Sequence, residues 1–417
     1  MYHYQNQQLY VEQVAVAAIA AKYGTPCYVY SQAKIEHNWH AFTQNDFQHT
    51  RILPKIFYAV KANSNLALLQ LLANLGAGFD TVSQGEIQRV LQATGTAGGV
   101  VFSGVGKTRA EIEFALQTGI YCFNVESEPE LYVIQDVART LGMQAAIALR
   151  VNPNIDAKTH PYISTGLKEN KFGIAMEQVE DLYVVAANMQ QIKILGLCCH
   201  IGSQITELQP FQAAVRQMLL LAQRINALGY NIQHLNLGGG LGICYQDEQP
   251  PTPEQYLQAL LAEVTAAGID IELHLEPGRA LIGNAGMLVT KVEYIKAAAA
   301  KNFAIVDAGM NDLMRPALYG SKHKIIVVKQ LGSTGSTSSY DIVGPICETA
   351  DCFAKDQTLT LSQGDLLAIT NTGAYGSSMS SNYNSRGRCA EVLVAGDQVR
   401  LIRQRETLAA LYRDELM

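Results

Sequence analysis

The sequence lacks an excess of basic residues. Its 417 residues include 31 Lys and Arg against 37 Asp and Glu, which gives a formal net charge of −6. Proteins that bind nucleic acid concentrate Lys and Arg on one face, because contacts to phosphates supply much of the affinity. No such basic stripe is found in this sequence, so we expect no nucleic-acid partner.

The sequence also lacks a long apolar run. A membrane-spanning helix needs about 20 consecutive apolar residues, and no run of even about 18 occurs. The apolar stretch VAVAAIAA, residues 14–21, follows Glu12 and has no basic segment before it, unlike a signal peptide. Gly24 and Pro26 come soon after it and predict a short helix that ends at the glycine. We therefore expect neither a membrane partner nor an export signal.

The eight cysteines lack the spacing of a metal site. Neither a CxxC pair nor a His-x-x-x-His pair accompanies them, so a structural zinc site is not expected. A long chain without an export signal normally keeps its thiols reduced. The sequence therefore predicts a cytoplasmic protein with no bound metal.

An apolar run followed by a longer amphipathic segment recurs eight times between about residue 52 and residue 282. The runs predict buried parallel strands and the segments predict helices. Eight repeats in succession predict a (β/α)8 TIM barrel over residues 28–282. A doubly wound open sheet is the alternative, which the count of eight and the missing GxGxxG after the first strand disfavour. The predicted strands are 56–60, 78–82, 99–105, 121–127, 145–153, 193–203, 232–240 and 271–279.

The character of the sequence changes after residue 282. Short strand-like runs separated by Gly, Ser and Asn replace the periodic helices. Residues 283–417 therefore predict an antiparallel β domain, which also takes in the N-terminal segment 1–27. The strand-like CYVYS, residues 27–31, is a candidate to pair with this domain.

Lys61 ends the apolar run of the first predicted strand, in FYAVKANSN. A buried ammonium is costly unless it is paired or loses its charge. The neutral amine is the nucleophile that Schiff-base chemistry with a carbonyl or with pyridoxal phosphate requires. The alternative is a solvated lysine at a strand end, which the flanking apolar residues disfavour.

Further polar residues and glycines fall at the ends of other predicted strands, where the chemistry of barrel enzymes is located. His200 can instead be a core histidine with its hydrogen bonds satisfied, and Glu276 a surface carboxylate. The glycines of the seventh strand predict either a tight turn with positive φ or backbone N–H groups for a phosphate. The residues are Asp80, His200, Ser203, Gly238, Gly239, Gly240, Glu276, Gly278 and Arg279.

The segment SGVGKT, residues 103–108, looks like the end of a nucleotide-binding P-loop. That motif requires a glycine five residues before Gly106, and Val101 stands there. We therefore expect no nucleotide site.

A set of segments spread over residues 25–400 resembles the fold-type III pyridoxal-phosphate decarboxylases. Within that family it is most similar to the members that act on diaminopimelate. The resemblance implies pyridoxal 5′-phosphate as cofactor and a homodimer with shared active sites, to which the β domain contributes. The segments are YAVKAN, HIGSQ, NLGGGLG, EPGR, MRPALYG, GPICETAD and GAYGSSMSSNYNSR.

The resemblance also implies a role for each matching residue on the cofactor. Lys61 would form the internal aldimine, His200 would stack on the ring, and Glu276 would pair with the pyridine nitrogen. An opposite charge beside that nitrogen favours its protonated form, which is the better electron acceptor. The remaining cofactor residues implied are Asp80, Ser203, Gly238, Gly239, Gly240, Gly278, Arg279 and Tyr375.

The implied reaction is decarboxylation of meso-2,6-diaminopimelate to L-lysine, the last step of lysine synthesis. The distal carboxylate needs a permanent cation, and the planar guanidinium of arginine matches it. Cys347, from the partner subunit, would donate the proton to Cα. Thr349 replaces the serine that is commoner after Cys-Glu, and it keeps the hydroxyl. The residues implied to bind substrate are Arg279, Arg315, Tyr319, Glu348 and Tyr375.

Three other functions remain as alternatives. A decarboxylase of ornithine, arginine or carboxynorspermidine would lack the clamp for a distal carboxylate, so Arg315 with Tyr319 argues against it. An alanine racemase places Arg at the ring nitrogen, where this chain has Glu276. A non-catalytic pyridoxal-phosphate carrier is typically a lone barrel, and the β domain argues against that. The sequence assigns no role to the segment 154–172.

Overall fold

The structure is a computed structural model that describes residues 1–44, 53–157, 165–167, 169–298, 301–330 and 337–417. The chain divides into two units, which we call the barrel unit and the β unit. The barrel unit comprises Trp39–Ile243 and Gln249–Ala280. The β unit comprises Met1–Asn38, Cys244–Glu248 and Leu281–Met417. Residues 158–164 and 168 of the segment 154–172 lie outside the described part of the chain.

The chain begins with a small antiparallel sheet and two helices. The helix predicted near residues 14–21 is confirmed as α1, which ends at Gly24 with φ of 75°. The elements are β1 (Tyr2–Gln5), β2 (Gln8–Val11), β3 (Val14–Ala15), α1 (Val16–Tyr23), β4 (Cys27–Ser31) and α2 (Gln32–Thr43).

Eight parallel strands then form a closed barrel, which confirms the predicted fold. Each strand pairs with the next one in the barrel, and the last pairs with the first. The short strand β10 pairs with β9 outside this ring. The elements are β5 (Lys55–Ala59), α3 (Leu66–Asn74), β6 (Gly78–Thr81), α4 (Gln84–Thr94), β7 (Val100–Phe102), α5 (Arg109–Gln117), β8 (Cys122–Val125), α6 (Glu128–Leu141), β9 (Ala145–Asn152), β10 (Ile174–Ala175), α7 (Val179–Ala187), β11 (Ile192–Cys198), α8 (Gln209–Ala227), β12 (His234–Asn236), α9 (Pro253–Ala267), β13 (Glu272–Leu275) and α10 (Arg279–Ile282).

Side-chain caps start several of the barrel helices directly after their strands. Ser83 and Ser127 each accept a hydrogen bond from a backbone N–H in the first turn of α4 and α6. Thr108 and Glu111 form a reciprocal capping box at the start of α5. These caps satisfy N–H groups that a helix end leaves unpaired.

The β unit is built on a nine-stranded sheet with the order β18 (Cys352–Leu359), β17 (Ser338–Val343), β15 (Asn302–Val306), β14 (Gly286–Ala297), β4, β20 (Ala390–Ala395) and β21 (Gln398–Arg403). β19 (Leu366–Thr370) pairs with β14, and β16 (Ile325–Val327) pairs with β19. The predicted pairing of CYVYS is confirmed, because β4 lies between β14 and β20. The helix α11 (Arg315–Tyr319) follows β15.

The sheet is rich in antiparallel pairs but not entirely antiparallel. β15 pairs with β17, and β4 with β20, in parallel. The chain between β15 and β17 crosses over through α11 and β16, and such a crossover makes parallel pairing possible. The β unit also extends to Asn38, beyond residue 27, since β4 is part of its sheet.

The core of the β unit lies on the face of β4, β14 and β20 that packs against α1. Val29, Val289 and Val392 are fully buried there beside Val16 and Ile19 of the helix. Among the helices that the structure describes, none is both long and apolar enough to cross a membrane.

Candidate active site

Lys61 and Asp80 form an ion pair at the C-terminal ends of two neighbouring barrel strands. Lys61 lies in a 3-10 turn, Val60–Ala62, that follows β5 directly. Asp80 lies on β6, where it is in register with Ala59 of β5. The Lys61 Nζ is 3.1 Å from Oδ2 of Asp80, whose side chain is fully buried. The amine is therefore held at the barrel mouth by a carboxylate that water does not reach.

Glu276 follows β13 and is held by two side-chain amides. Its Oε1 accepts hydrogen bonds from Nδ2 of Asn236 at 2.6 Å and from Nδ2 of Asn124 at 3.2 Å. Burial raises the pKa of Glu276, the charge of Asp80 raises it further, and Lys61 lowers it. Both bonds are to Oε1, which leaves Oε2 without a partner within the described residues. That oxygen can face a cationic ring nitrogen.

The Gly238–Gly240 loop follows β12 and lies close to the backbone of its neighbours. Gly238 has φ of 67°, and a Cβ on Gly239 would lie 2.3 Å from the carbonyl oxygen of Glu276. Side chains are therefore excluded by both conformation and space. The Gly238 N–H donates to Oδ1 of Asn236 and the Gly239 N–H to Nδ1 of His200. The loop thus lies in contact with both the imidazole and the amide that holds Glu276.

His200 follows β11, and its ring is neutral at neutral pH. Burial lowers the pKa of His200 well below its usual value, and the charges of Lys61 and Arg150 lower it further. Because Nδ1 accepts the Gly239 N–H, the proton of the neutral ring is on Nε2. A neutral imidazole in this position offers a flat face to a ligand ring.

Arg279 and Ser203 come together at the end of the same barrel. The guanidinium of Arg279 donates to Oγ of Ser203 at 2.9 Å, and Arg279 is 4% exposed. Gly278 precedes Arg279 in the loop that joins β13 to α10. The predicted cofactor residues of the barrel unit thus lie on its strands or in the segments that directly follow their C-terminal ends, which include the 3-10 turn of Lys61 and the first residue of α10, Arg279.

Several polar residues of this region were not predicted from the sequence. Asn124 and Asn236 hold Glu276, as described above. Glu86 accepts a hydrogen bond from the Val82 N–H, and burial raises the pKa of its carboxyl to about 7. Glu126 forms a buried ion pair with Arg150. A polar residue inside a buried strand was the available signal for Asn124, Asn236 and Arg150.

In the β unit, Arg315 lies within a group of three tyrosine rings. The centre of its guanidinium is 5.3 Å from the ring centroid of Tyr245, 5.6 Å from Tyr319 and 5.9 Å from Tyr375. Such cation–π contacts favour a buried guanidinium. Arg315 is 4% exposed and also donates to Oγ of Ser321 at 3.1 Å. Tyr245 was not predicted, whereas the other two rings were.

Cys347 and Glu348 are exposed on the β unit. The Cys347 N–H donates to Oδ1 of Asn384 at 3.2 Å. The hydroxyl of Tyr383 donates to Oε1 of Glu348. Tyr383 and Asn384 belong to the segment SSNYNSR, whereas Cys347 and Glu348 belong to GPICETAD. The structure therefore brings two of the motifs found in the sequence into contact.

The predicted site residues thus fall into two groups, one in each unit. The barrel unit holds Lys61, Asp80, His200, Ser203, Gly238, Gly239, Gly240, Glu276, Gly278 and Arg279. The β unit holds Arg315, Tyr319, Cys347, Glu348 and Tyr375.

Known proteins resemble this chain over its whole length. Residues 32–283 match the family model for the pyridoxal-binding domain of pyridoxal-dependent decarboxylases. The diaminopimelate decarboxylase of Vibrio cholerae is 53% identical over 414 residues, which cover 99% of this chain and 97% of that protein.

Solved structures give the same result. Diaminopimelate decarboxylase from M. jannaschii, in complex with L-lysine, has a TM-score of 0.94 and 38% identity and covers 100% of this chain and 98% of its own. The Helicobacter pylori enzyme, also in complex with L-lysine, has a TM-score of 0.90 and 43% identity over 95% of this chain and 98% of its own. This chain therefore belongs to the diaminopimelate decarboxylases, a family of pyridoxal-dependent decarboxylases.

Proposed function

We propose that this protein decarboxylates meso-2,6-diaminopimelate to L-lysine and CO2, with pyridoxal 5′-phosphate attached to Lys61. The observation that carries the proposal is the buried Glu276 carboxylate, which two amides hold through a single oxygen. A carboxylate keeps a pyridine nitrogen protonated and so favours loss of CO2. An arginine in that place, as in alanine racemases, would not.

The residues present fit the cofactor. Oδ1 of Asp80 is buried and has no hydrogen-bond partner among the described residues. The two amides that hold Glu276 both bond to its Oε1, so neither of them occupies Oε2. The glycine loop presents backbone without side chains, which suits a phosphate. The residues that we propose to hold the cofactor are Lys61, Asp80, His200, Ser203, Gly238, Gly239, Gly240, Glu276, Gly278, Arg279 and Tyr375.

Four of these residues have distinct tasks. When bound, the cofactor accepts the electron pair that departure of CO2 leaves at Cα. Glu276 holds the proton on the ring nitrogen. His200, being neutral, packs against the ring without adding a positive charge. Lys61 supplies the amine, and Asp80 orients it through the 3.1 Å ion pair.

The second group of residues suits the far end of the substrate. Arg315, with its tyrosine cage, is a rigid cation for the distal carboxylate, and we propose that Arg279, Tyr319 and Tyr375 assist it. The cage limits the rotamers of the guanidinium, so little freedom is lost on binding. Ornithine and lysine have no distal carboxylate, so such a site would discriminate against them.

We further propose a homodimer in which Cys347 and Glu348 of each subunit serve the active site of the other. Cys347 would donate the proton to Cα, and Glu348 would bind the distal ammonium. The exposure of both residues on their own unit supports a role toward a partner. All eight cysteines are free thiols, which supports a reducing compartment, the cytoplasm.

The proposal is tested by a decarboxylation assay on a panel of amino acids. We expect kcat/KM for meso-diaminopimelate to exceed that for lysine, ornithine or arginine by at least about 100-fold, because only the distal carboxylate of diaminopimelate can add a charged contact to Arg315. Equal rates with ornithine would reject the proposed substrate. The Arg315→Ala variant should lose this preference through a higher KM while keeping bound cofactor.

A further inference from the structure

Asp351 lies at the base of the loop that carries Cys347 and Glu348. This loop, Gly344–Asp351, joins β17 to β18, and its tip is exposed. Asp351 itself is 3% exposed. Neither the proposed chemistry nor the proposed substrate contacts use this buried carboxylate.

The two oxygens of Asp351 bond to two different segments. Oδ2 accepts the N–H of Ile346, the residue before Cys347, at 2.7 Å. Oδ1 accepts the N–H of Met310 at 2.7 Å. Met310 belongs to the turn Gly309–Asp312, which Asp312 closes independently by accepting the Gly309 N–H at 3.0 Å. The carboxylate therefore joins the Cys347 loop to a turn that is already formed.

Gly344 leaves space for the Asp351 carboxylate because it has no side chain. A Cβ on Gly344 would lie 2.3 Å from Oδ2 and 2.6 Å from Oδ1 of Asp351. The Gly344 N–H also donates to the backbone oxygen of Asp351 at 3.1 Å, which closes the base of the loop. Any side chain at residue 344 would push the carboxylate away from its two N–H donors.

We propose that Asp351 is a positioning residue for Cys347, because its carboxylate anchors the Cys347 loop on the Gly309–Asp312 turn. A charged acceptor bound to two N–H groups is stronger than a neutral one, and a buried N–H left unpaired is costly. Without the carboxylate, Ile346 and Met310 lose their acceptor, and Cys347 is no longer held at a fixed position. The inference rests on the proposed role of Cys347 as proton donor.

The first test is the Asp351→Asn variant, in which an amide replaces one acceptor oxygen by a donor. We expect kcat to fall about 10- to 100-fold, because small displacements of a reacting group cost that much. Cofactor affinity and absorbance should stay unchanged. Gly344→Ala disturbs the same contact without altering the carboxylate and should lower kcat in the same way, which covers the case in which Asp351→Asn does not fold.

Asp341→Asn is the matched control. Asp341 lies on β17 of the same hairpin, is 5% exposed and accepts the Asp356 N–H at 3.0 Å, but it does not bond to the Cys347 loop. Its substitution should leave kcat within about twofold of the wild type. An equal loss in Asp341→Asn and Asp351→Asn would mean general damage to the hairpin and would overturn the inference.

The second test mixes the chains of two variants, each of which has little or no activity alone. If Cys347 acts in the partner subunit, Lys61→Ala chains should restore activity to Asp351→Asn chains, because the Lys61→Ala chain supplies a correctly held Cys347. Cys347→Ala chains should not restore it. Recovery of Cys347→Ala but not of Asp351→Asn by Lys61→Ala would overturn the role of Asp351 and leave the shared site intact.

Failure of Lys61→Ala to rescue Cys347→Ala would instead reject the shared site. The role of Asp351 is then decided by the double variant Asp351→Asn/Cys347→Ala. A kcat equal to that of Cys347→Ala alone supports action through Cys347. A further tenfold loss would contradict it.

Discussion

Both ends of the barrel bury ionisable side chains, but the partners of those side chains differ between the ends. At the C-terminal end, Asp80 is bonded to Lys61, and Glu276 to two amides. At the N-terminal end, His234 and His274 stack with ring centroids 4.2 Å apart. Burial lowers the pKa of each of these histidines to about 3.

The surroundings of the histidine pair explain the difference. The rings of Phe57 and Tyr121 pack around it, at 5.0 Å and 5.9 Å from His274. Nδ1 of either histidine finds no hydrogen-bond partner within the described residues. The neutral imidazoles therefore form aromatic core, and the Lys55–Glu272 ion pair at this end is partly exposed. At the other end, buried charges have specific partners. Burial alone does not make an active site; the arrangement of donors and acceptors does.

The largest expected loss of activity comes from removing Lys61 at the C-terminal end of the barrel, and Lys55 at the N-terminal end provides the comparison. Lys61→Ala should abolish turnover and the absorbance of bound cofactor, because no other amine can replace it in the reaction. Lys55→Ala is the control: Lys55 begins the same strand and pairs with Glu272 at 2.5 Å. The measurements are CO2 release and absorbance after dialysis. Retained colour in Lys61→Ala would contradict the assignment.

The next effect compares a glutamate from each end. Glu276→Gln should lower kcat by about 100- to 1000-fold, since an amide cannot hold a proton on the ring nitrogen by charge. The protein should fold, because the replacement removes a costly buried charge. Glu272→Gln, at the opposite end, should keep its activity. Steady-state kinetics measure kcat for both variants, and thermal melts check that both are folded. Similar kcat values in the two variants would contradict a special role for the glutamate at the C-terminal end.

A smaller effect is expected from the amide that holds Glu276. Asn236→Ala removes one donor to the carboxylate, so the pKa of Glu276 should rise further and the acid limb of the pH–rate profile should shift to higher pH. The loss in kcat should be about tenfold, as for one hydrogen bond to a charged group. Ser103→Ala is a milder control, since the Ser103 hydroxyl accepts from Asn124 at 2.9 Å and has no direct bond to Glu276 among the described residues. An unshifted acid limb would show that Asn236 does not tune Glu276.

The smallest effect on activity is expected at the histidine pair. His234→Phe keeps the stack and should leave kcat unchanged, but it should reduce the acid sensitivity of folding. The pKa of His234 is about 3 in the folded protein, below its ordinary value, so the unfolded chain takes up the proton first as pH falls. Stability is thereby lost at about 1.4 kcal/mol per pH unit between the unfolded and folded pKa values.

Urea unfolding of the wild type and His234→Phe, at about pH 7 and about pH 5, measures this loss at fixed protein concentration. The wild type should lose more free energy of unfolding between the two pH values. An equal loss in both proteins would show that His234 does not resist protonation in the fold.

Much of this architecture could be predicted because it depends on local patterns. The strand–helix period predicted the barrel, and Lys61 and Glu276 stood out as charged residues at the ends of apolar strands. No residues were assigned to the helix α7, since the segment 154–172 separates VEDLYVVAA from the predicted strand 145–153 and no side-chain cap marks the start of the helix. The parallel pairs of the second sheet were also missed, because strand order depends on long-range contacts.

The supporting residues were harder to predict than the reactive ones. Asn124 and Asn236 are 112 positions apart, and only the closed barrel brings both to Glu276. Tyr245 joins Arg315 from 70 positions away. Asp351 ended a recognised motif, yet its task depends on the Met310 N–H, which the sequence does not place beside it. Such residues act through geometry that a linear pattern does not contain.

The most direct test of the account is to identify the lysine that binds the cofactor. Borohydride reduction of the holoenzyme, followed by peptide mapping, fixes the cofactor to the amine that carries it. We expect one modified peptide, containing Lys61, and none in the Lys61→Ala variant. A label on any other lysine, or no label at all, would contradict the proposed chemistry.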